Sequence, residues 1–142
     1  MANIHYLRDN GSVLIANGYR IVPIKRGCKH PKGLSGWQDT VADLNQLGQW
    51  ISGGFEGVGI IAKDNPAIDI DTSRIMVDKV KAKFSGSLIR VGRSPKSLLP
   101  YRTDKPFKKV RSKTYEDDSG NQHAVEILGD GQQYVAYAEH PD

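Results

Sequence analysis

Apolar residues recur along this chain in two rhythms, a helical spacing in the first half and an alternating one in the second. Between residues 4 and 17, Leu7, Leu14 and Ile15 form a helical stripe, and Gly18 is a suitable stop. Tyr19 to Ile24 then reads as a strand with Pro23 near its end, and residues 25 to 40 read as a Lys-, Gly- and Pro-rich loop. Asp43 is a good N-cap for a second helix, with Leu44, Leu47, Trp50 and Ile51 on one side and Gly53-Gly54 at its end. Val58 to Ile61 predicts a short strand, followed by the turn Lys63-Asp64-Asn65-Pro66 and a second strand over Ala67 to Asp71. Ser73 is placed to cap a third helix that carries Ile75, Met76, Val80 and Phe84. Beyond it, 87–91, 97–102, 107–115, 123–128 and 132–138 read as strands. Asp117-Asp118-Ser119-Gly120-Asn121 and Gly129-Asp130-Gly131 are the turns between the later ones. Helices early and antiparallel strands late predict an α+β fold, a helix-rich N-terminal half packed on a C-terminal antiparallel sheet. No repeat, low-complexity segment or linker divides the chain, so residues 1 to 142 predict a single domain.

Composition narrows the class. A chain of 142 residues can bury a sizeable core, and 38% apolar with 25% charged residues is the balance of a soluble globular protein. No apolar run approaches the roughly 20 residues of a membrane span, and the N-terminus lacks the pattern of a secretory signal. The one cysteine, Cys28, excludes an internal disulfide and a cysteine-rich zinc site, and fits a reducing cytoplasm. The net charge is +4. It is concentrated, since Arg90, Arg93, Lys96, Arg102, Lys105, Lys108, Lys109, Arg111 and Lys113 face only Asp104 within that stretch. Such a run is commonly a solvated face, but its place between two acidic strands favours a phosphate-binding surface.

Those acidic strands carry the candidate chemistry. In Ala67-Ile68-Asp69-Ile70-Asp71, alternation puts Asp69 and Asp71 on one face and Ile68 and Ile70 on the other. In Val125-Glu126-Ile127, Glu126 faces away from its neighbours. If both strands share a sheet, three carboxylates converge and repel one another unless cations sit among them. Two Mg²⁺ or Mn²⁺ ions, which prefer oxygen ligands, answer that need. Paired ions of this kind serve phosphoryl and nucleotidyl transfer. An isolated acidic pair is more often the polar edge of a sheet, so the reading leans on what lies between the strands. There, the Gly92-containing turn Arg93-Ser94-Pro95-Lys96 offers an Arg fork and a Lys point charge to phosphate oxygens. His5, His30 and His123 read as surface residues, since nothing pairs them at metal-ligand spacing.

The order K-x-P…G-W, D-I-D, R-V-G-R-S-P-K-x-L-L-x-Y-R, V-E-I-L-G-x-G-Q-Q and H-P-D resembles the prim-pol domain. This is the bifunctional DNA primase/polymerase branch of the archaeo-eukaryotic primase superfamily, common in phages and mobile elements. The resemblance runs from Gly18 to Asp142. It implies a primase-like core with an RRM-like sheet, and Asp69, Asp71 and Glu126 as metal-binding and catalytic residues. It implies nucleotide binding by Arg93, Ser94, Lys96 and His140, with Lys96 standing where much of the superfamily has a phosphate-contacting His. Lys29, Pro31 and Trp37 match the early signature, and Trp37 reads slightly better as core than as a base-stacking residue. Arg102, Lys108, Lys109, Arg111 and Lys113 are the candidate DNA-binding residues. The partners implied are a DNA template and primer, with dNTP or NTP as substrate. Relatives continue past His-Pro-Asp, so the resemblance implies a longer polypeptide on which a helicase domain often follows. The setting implied is the cytoplasm of a bacterial, archaeal or phage-infected cell.

Two other classes compete. A metal-dependent nuclease also uses a carboxylate pair, but a Lys two residues after the second acid is expected and Leu128 stands there. A non-catalytic single-strand binder would show aromatics on its central strands, where this chain has Asp69, Asp71 and Glu126.

Overall fold

The computed structural model describes residues 4–84 and 88–139. Two compact units form, one from the described residues up to Ile61 together with those from Gly131 on, the other from Ala62–Asp130. Antiparallel sheets and helices make up both, so the fold class is α+β.

The first unit holds α1 (Tyr6–Ala16), β1 (Ile21–Ile24), α2 (Leu44–Ser52), β2 (Gly57–Ile61) and β9 (Gln133–Tyr137). His5 caps α1, its Nδ1 accepting the Arg8 N–H at 3.1 Å, a role its sequence context did not show. The helix ends as its glycine foretells. Gly18 takes φ 83°, and the Gly18 and Tyr19 N–H groups donate to the Ile15 and Leu14 carbonyls. Asp43 caps α2 by accepting the Gln46 N–H at 2.8 Å. Leu7, Ile21, Leu47, Trp50 and Val58 bury together between the helices and the sheet β1-β2-β9. Leu44 does not join them; it is exposed in the first turn of α2. On the opposite face Val22, Ile24 and Ile61 are buried, with Trp37, Cys28 and Val135 partly buried against them.

The second unit holds β3 (Ala67–Asp71), α3 (Arg74–Lys83), β4 (Arg90–Val91), β5 (Ser97–Pro100), β6 (Val110–Arg111), β7 (Tyr115–Glu116) and β8 (Gln122–Leu128). The sheet runs β4-β5-β3-β8-β6, with β7 also paired to β8. Ile68, Ile70, Leu99, Val125 and Ile127 turn one face onto Val77 and Val80 of α3. That corrects the expected stripe of α3. Ile75, Met76 and Phe84 are exposed, and Val77 is buried in their stead. The helix touches the sheet along one narrow line, which the Val77–Val80 pair at i, i+3 satisfies. Two strand readings also change. The stretch 107–115 forms only the two-residue β6 and the start of β7, because its residues are exposed at a sheet edge. The stretch 132–138 pairs with β2 of the first unit, so the late strands divide between two sheets. Ser87, the expected start of β4, lies outside the described residues.

Candidate active site

Strand register decides which side chains meet. Asp69 pairs directly with Glu126 across β3 and β8. On its other side Asp69 pairs with Leu98, and Leu98 pairs with Arg90. Glu126 in turn pairs with Arg111. Directly opposed residues in a sheet share a face. One row therefore crosses five strands as Arg90, Leu98, Asp69, Glu126, Arg111. It lies on the face opposite the Val77 core, because Ile68, Ile70, Val125 and Ile127 alternate with it. Asp71 lies two residues on from Asp69, on the same face. Lys96 precedes Ser97, which pairs with Ile70, so Lys96 falls opposite Asp71. Its Nζ meets Asp71 Oδ1 at 2.5 Å.

The cluster is neutralised from within. Glu126, 19% exposed at its side chain, takes Lys109 Nζ on one oxygen and Arg111 Nε on the other, each at 3.1 Å. Burial pushes the Asp69 carboxyl above the ordinary carboxylate range. Arg90 opposes that shift, Glu126 and Asp71 add to it, and Lys96 opposes it more weakly. Among the described residues no three His, Cys, Asp or Glu side chains already converge as a metal cage. The donor set still suits Mg²⁺ or Mn²⁺, being three carboxylates on adjacent strands with no sulfur or imidazole.

The remaining sequence candidates are not members of this row. Arg93 and Ser94 lie in the exposed turn before β5, closed by Lys96 N–H donating to the Arg93 carbonyl at 3.0 Å. Arg74 of α3 donates to Ser94 Oγ at 2.9 Å, which ties that turn to the helix. His140 lies outside the described residues. Arg102, Lys108 and Lys113 are exposed, and Lys108 pairs with Asp130 at 3.2 Å. Lys109 and Arg111 differ from the expected separate template surface, because the β6–β8 register draws them onto Glu126.

Sequence reasoning passed over Arg90. A signal existed. With Lys96 opposite Asp71, alternation puts Leu98 beside Asp69, and the turn after β4 folds Arg90 back onto Leu98. His123 was also missed. Its Nδ1 lies 3.0 Å from Thr72 Oγ1, and its Nε2 lies 2.8 Å from Asp117 Oδ2. The His123 hydrogen bond, aided by Asn121, holds the Asp117 carboxyl well below the usual range. This chain fastens the end of β3 just past Asp71, on the face away from the carboxylates.

The family model for the N-terminal domain of bifunctional DNA primase/polymerase, Prim-Pol, matches residues 12–141. The chain belongs to the prim-pol family. Its family's work is on DNA and nucleotides. No curated protein and no solved structure gives a match. No helix among the described residues is long and apolar enough to cross a membrane.

Proposed function

We propose that this prim-pol chain performs template-dependent nucleotidyl transfer, as a DNA primase, a DNA polymerase or both, with Asp69, Asp71 and Glu126 holding two Mg²⁺ or Mn²⁺ ions. The observation that supports this best is the directly opposed pair Asp69 and Glu126 on the central strands of a prim-pol sheet, with Asp71 on the same face. Carboxylates this close are costly on a surface meant for a polyanion unless cations neutralise them. When bound, such ions activate an attacking 3′-hydroxyl and neutralise charge on departing pyrophosphate. The protein's own part is positional. Paired to β5 and β8 on either side, β3 sets the spacing of the three carboxylates. Lys96 and Arg93, from one short turn, bind the triphosphate of the incoming nucleotide, and Ser94 keeps that turn on α3 through Arg74. Arg102, Lys108 and Lys113 follow the template backbone.

The test is incorporation of nucleotide on a defined template, with and without primer, with dNTPs and then NTPs, in Mg²⁺ and in Mn²⁺. Template- and metal-dependent product that disappears in Asp69→Ala or Asp71→Ala is expected. Full activity in either variant excludes the two-metal role.

A further inference from the structure

Every carboxylate of the candidate site has a basic neighbour. Lys96 holds Asp71, Lys109 and Arg111 hold Glu126, and Arg90 shares the row of Asp69. Three negative groups thus meet four positive ones. The cluster therefore carries a surplus of one positive charge before any ion is counted. Two divalent ions arriving alone would raise that surplus to five, in a space where Asp69 is partly buried. A nucleoside triphosphate, with about four negative charges near neutral pH, brings the surplus back to about one.

We propose that these basic side chains keep the carboxylates reserved, so that divalent ions and the triphosphate load together, with Lys96 and Arg111 passing from carboxylate to phosphate as they do. The inference rests on the nucleotidyl-transfer reading above. It adds Arg90, Lys109 and Arg111 to the nucleotide site as positioning residues, and it makes metal and nucleotide each raise the other's affinity, as linkage requires. Lys96 is built for the exchange. Its flexible stem follows the Arg93–Ser94 turn, so a swing of the Nζ from Asp71 toward that turn needs no movement of a strand. Arg111 belongs to a two-residue edge strand that is exposed to solvent, which leaves its guanidinium room to re-aim.

The reservation is measurable without turnover. Mn²⁺ is titrated into the full chain without nucleotide, and free aquo-Mn²⁺ is followed by electron paramagnetic resonance. Coulomb repulsion of one unit charge from a divalent ion some 7 Å off in water predicts about five- to tenfold tighter binding per basic residue removed. Wild type should therefore bind Mn²⁺ weakly, Lys96→Ala should bind it more tightly by that factor, and the double variant Lys109→Ala/Arg111→Ala by about its square, roughly 25- to 100-fold. Lys96→Arg, which keeps the charge, should match wild type. Asp71→Asn should abolish the binding and so locate it. A fluorescent, non-hydrolysable dATP analogue should bind wild type at least tenfold better with Mn²⁺ than without, and that ratio should shrink in Lys96→Ala. If Asp71-dependent Mn²⁺ binding is present but no tighter in the lysine and arginine variants, the reservation is wrong and the two-metal reading stands. Absence of Asp71-dependent Mn²⁺ binding in every variant, with or without the analogue, overturns both. Thermal melts of each variant confirm folding, and the two basic variants lie on separate segments of the chain, so failure of one leaves the other to decide.

Discussion

Replacing Asp69 by Asn should cost the fold nothing and cost the chemistry everything. Asp69 sits directly opposite Glu126, and directly opposed Cβ atoms in a sheet are about 5 Å apart. Two carboxylates at that separation repel by roughly 1–3 kcal/mol for effective dielectric constants between those of a protein surface and of water. Arg90 pulls the other way from two strands over, some 10 Å between Cα rows. Lys96 adds a weaker pull, as the order of causes acting on the Asp69 carboxyl shows. Burial, the largest influence, together with Glu126 and Asp71 still leaves that carboxyl above its ordinary value, so the environment penalises the charge. Asn keeps the shape and removes the penalty. We expect a gain of about 1 kcal/mol near neutral pH, or about 2–4 °C in Tm for a chain of this size. The sign with pH follows. A carboxyl whose folded pKa is raised weakens the fold above that pKa, and the weakening fades as pH falls toward the unfolded value of about 3.9. The Tm advantage of Asp69→Asn should therefore shrink as pH is lowered from 7 toward 4. Differential scanning fluorimetry across that range, beside a primer-extension assay, measures both halves. A Tm loss of more than about 5 °C at pH 7 would mean that pairing with Arg90 outweighs repulsion by Glu126. Undiminished incorporation would remove Asp69 from the chemistry.

Further outcomes follow from other parts of the structure. Lys96→Ala should raise the apparent nucleotide KM and leave DNA affinity in place; if only DNA binding weakens, the turn at 93–96 belongs to the template surface. Lys113→Ala should lower the slope of log DNA affinity against log salt by about one unit with nucleotide KM unchanged, checked by anisotropy titrations at several salt concentrations. Val77→Ala empties the centre of the α3–sheet core, where the valine has no exposed surface, and should cost about 2 kcal/mol in urea unfolding, since the removed methyls leave a cavity. Asp117→Asn should lower Tm at pH 7. Because the Asp117 carboxyl is depressed, its contribution is present above the unfolded value and lost as pH falls through the folded one, so the two melting curves should converge in acid.

The parts of the fold legible in the sequence are those whose cause is local. Asp43 caps α2 and Gly18 ends α1 because each needs only its own few neighbours. Ile68 and Ile70 mark β3 because alternation is a property of the strand itself. What stayed hidden depends on partners far along the chain. The α3 stripe was misjudged because four apolar residues compete for one line of contact, and only the sheet beneath selects Val77. The stretch 107–115 looks like a strand by residue type, yet an edge position gives it two short strand pairings and one isolated bridge, Lys108 with Asp130. Asp69, Asp71 and Glu126 could be placed on faces from sequence, but the register that brings Arg90 and Arg111 into their row could not. Register is set by turn lengths and by which strands become neighbours.

That division explains why the basic residues were harder to interpret than the acidic ones. A carboxylate on a buried strand announces itself, because burial of charge demands a reason. A lysine on an exposed segment demands none, and its role follows wholly from what it lies against. Lys113, one strand-end beyond the row, and Arg111, within it, are two residues apart in sequence, and only Arg111 pairs with Glu126. The same alternation that gives β3 two unlike faces therefore sorts the basic run as well. Lys109 lies against Glu126, as Arg111 does, while its neighbour in sequence, Lys108, turns to Asp130. Behind the row, Ile68, Ile70 and the Thr72–His123–Asp117 chain hold β3 from the reverse face. A strand fixed along its back can present repelling charges at its front without parting from its neighbours. The carboxylates keep their spacing because the backbone is pinned, and the basic side chains, long and rooted on exposed segments, are the elements free to move.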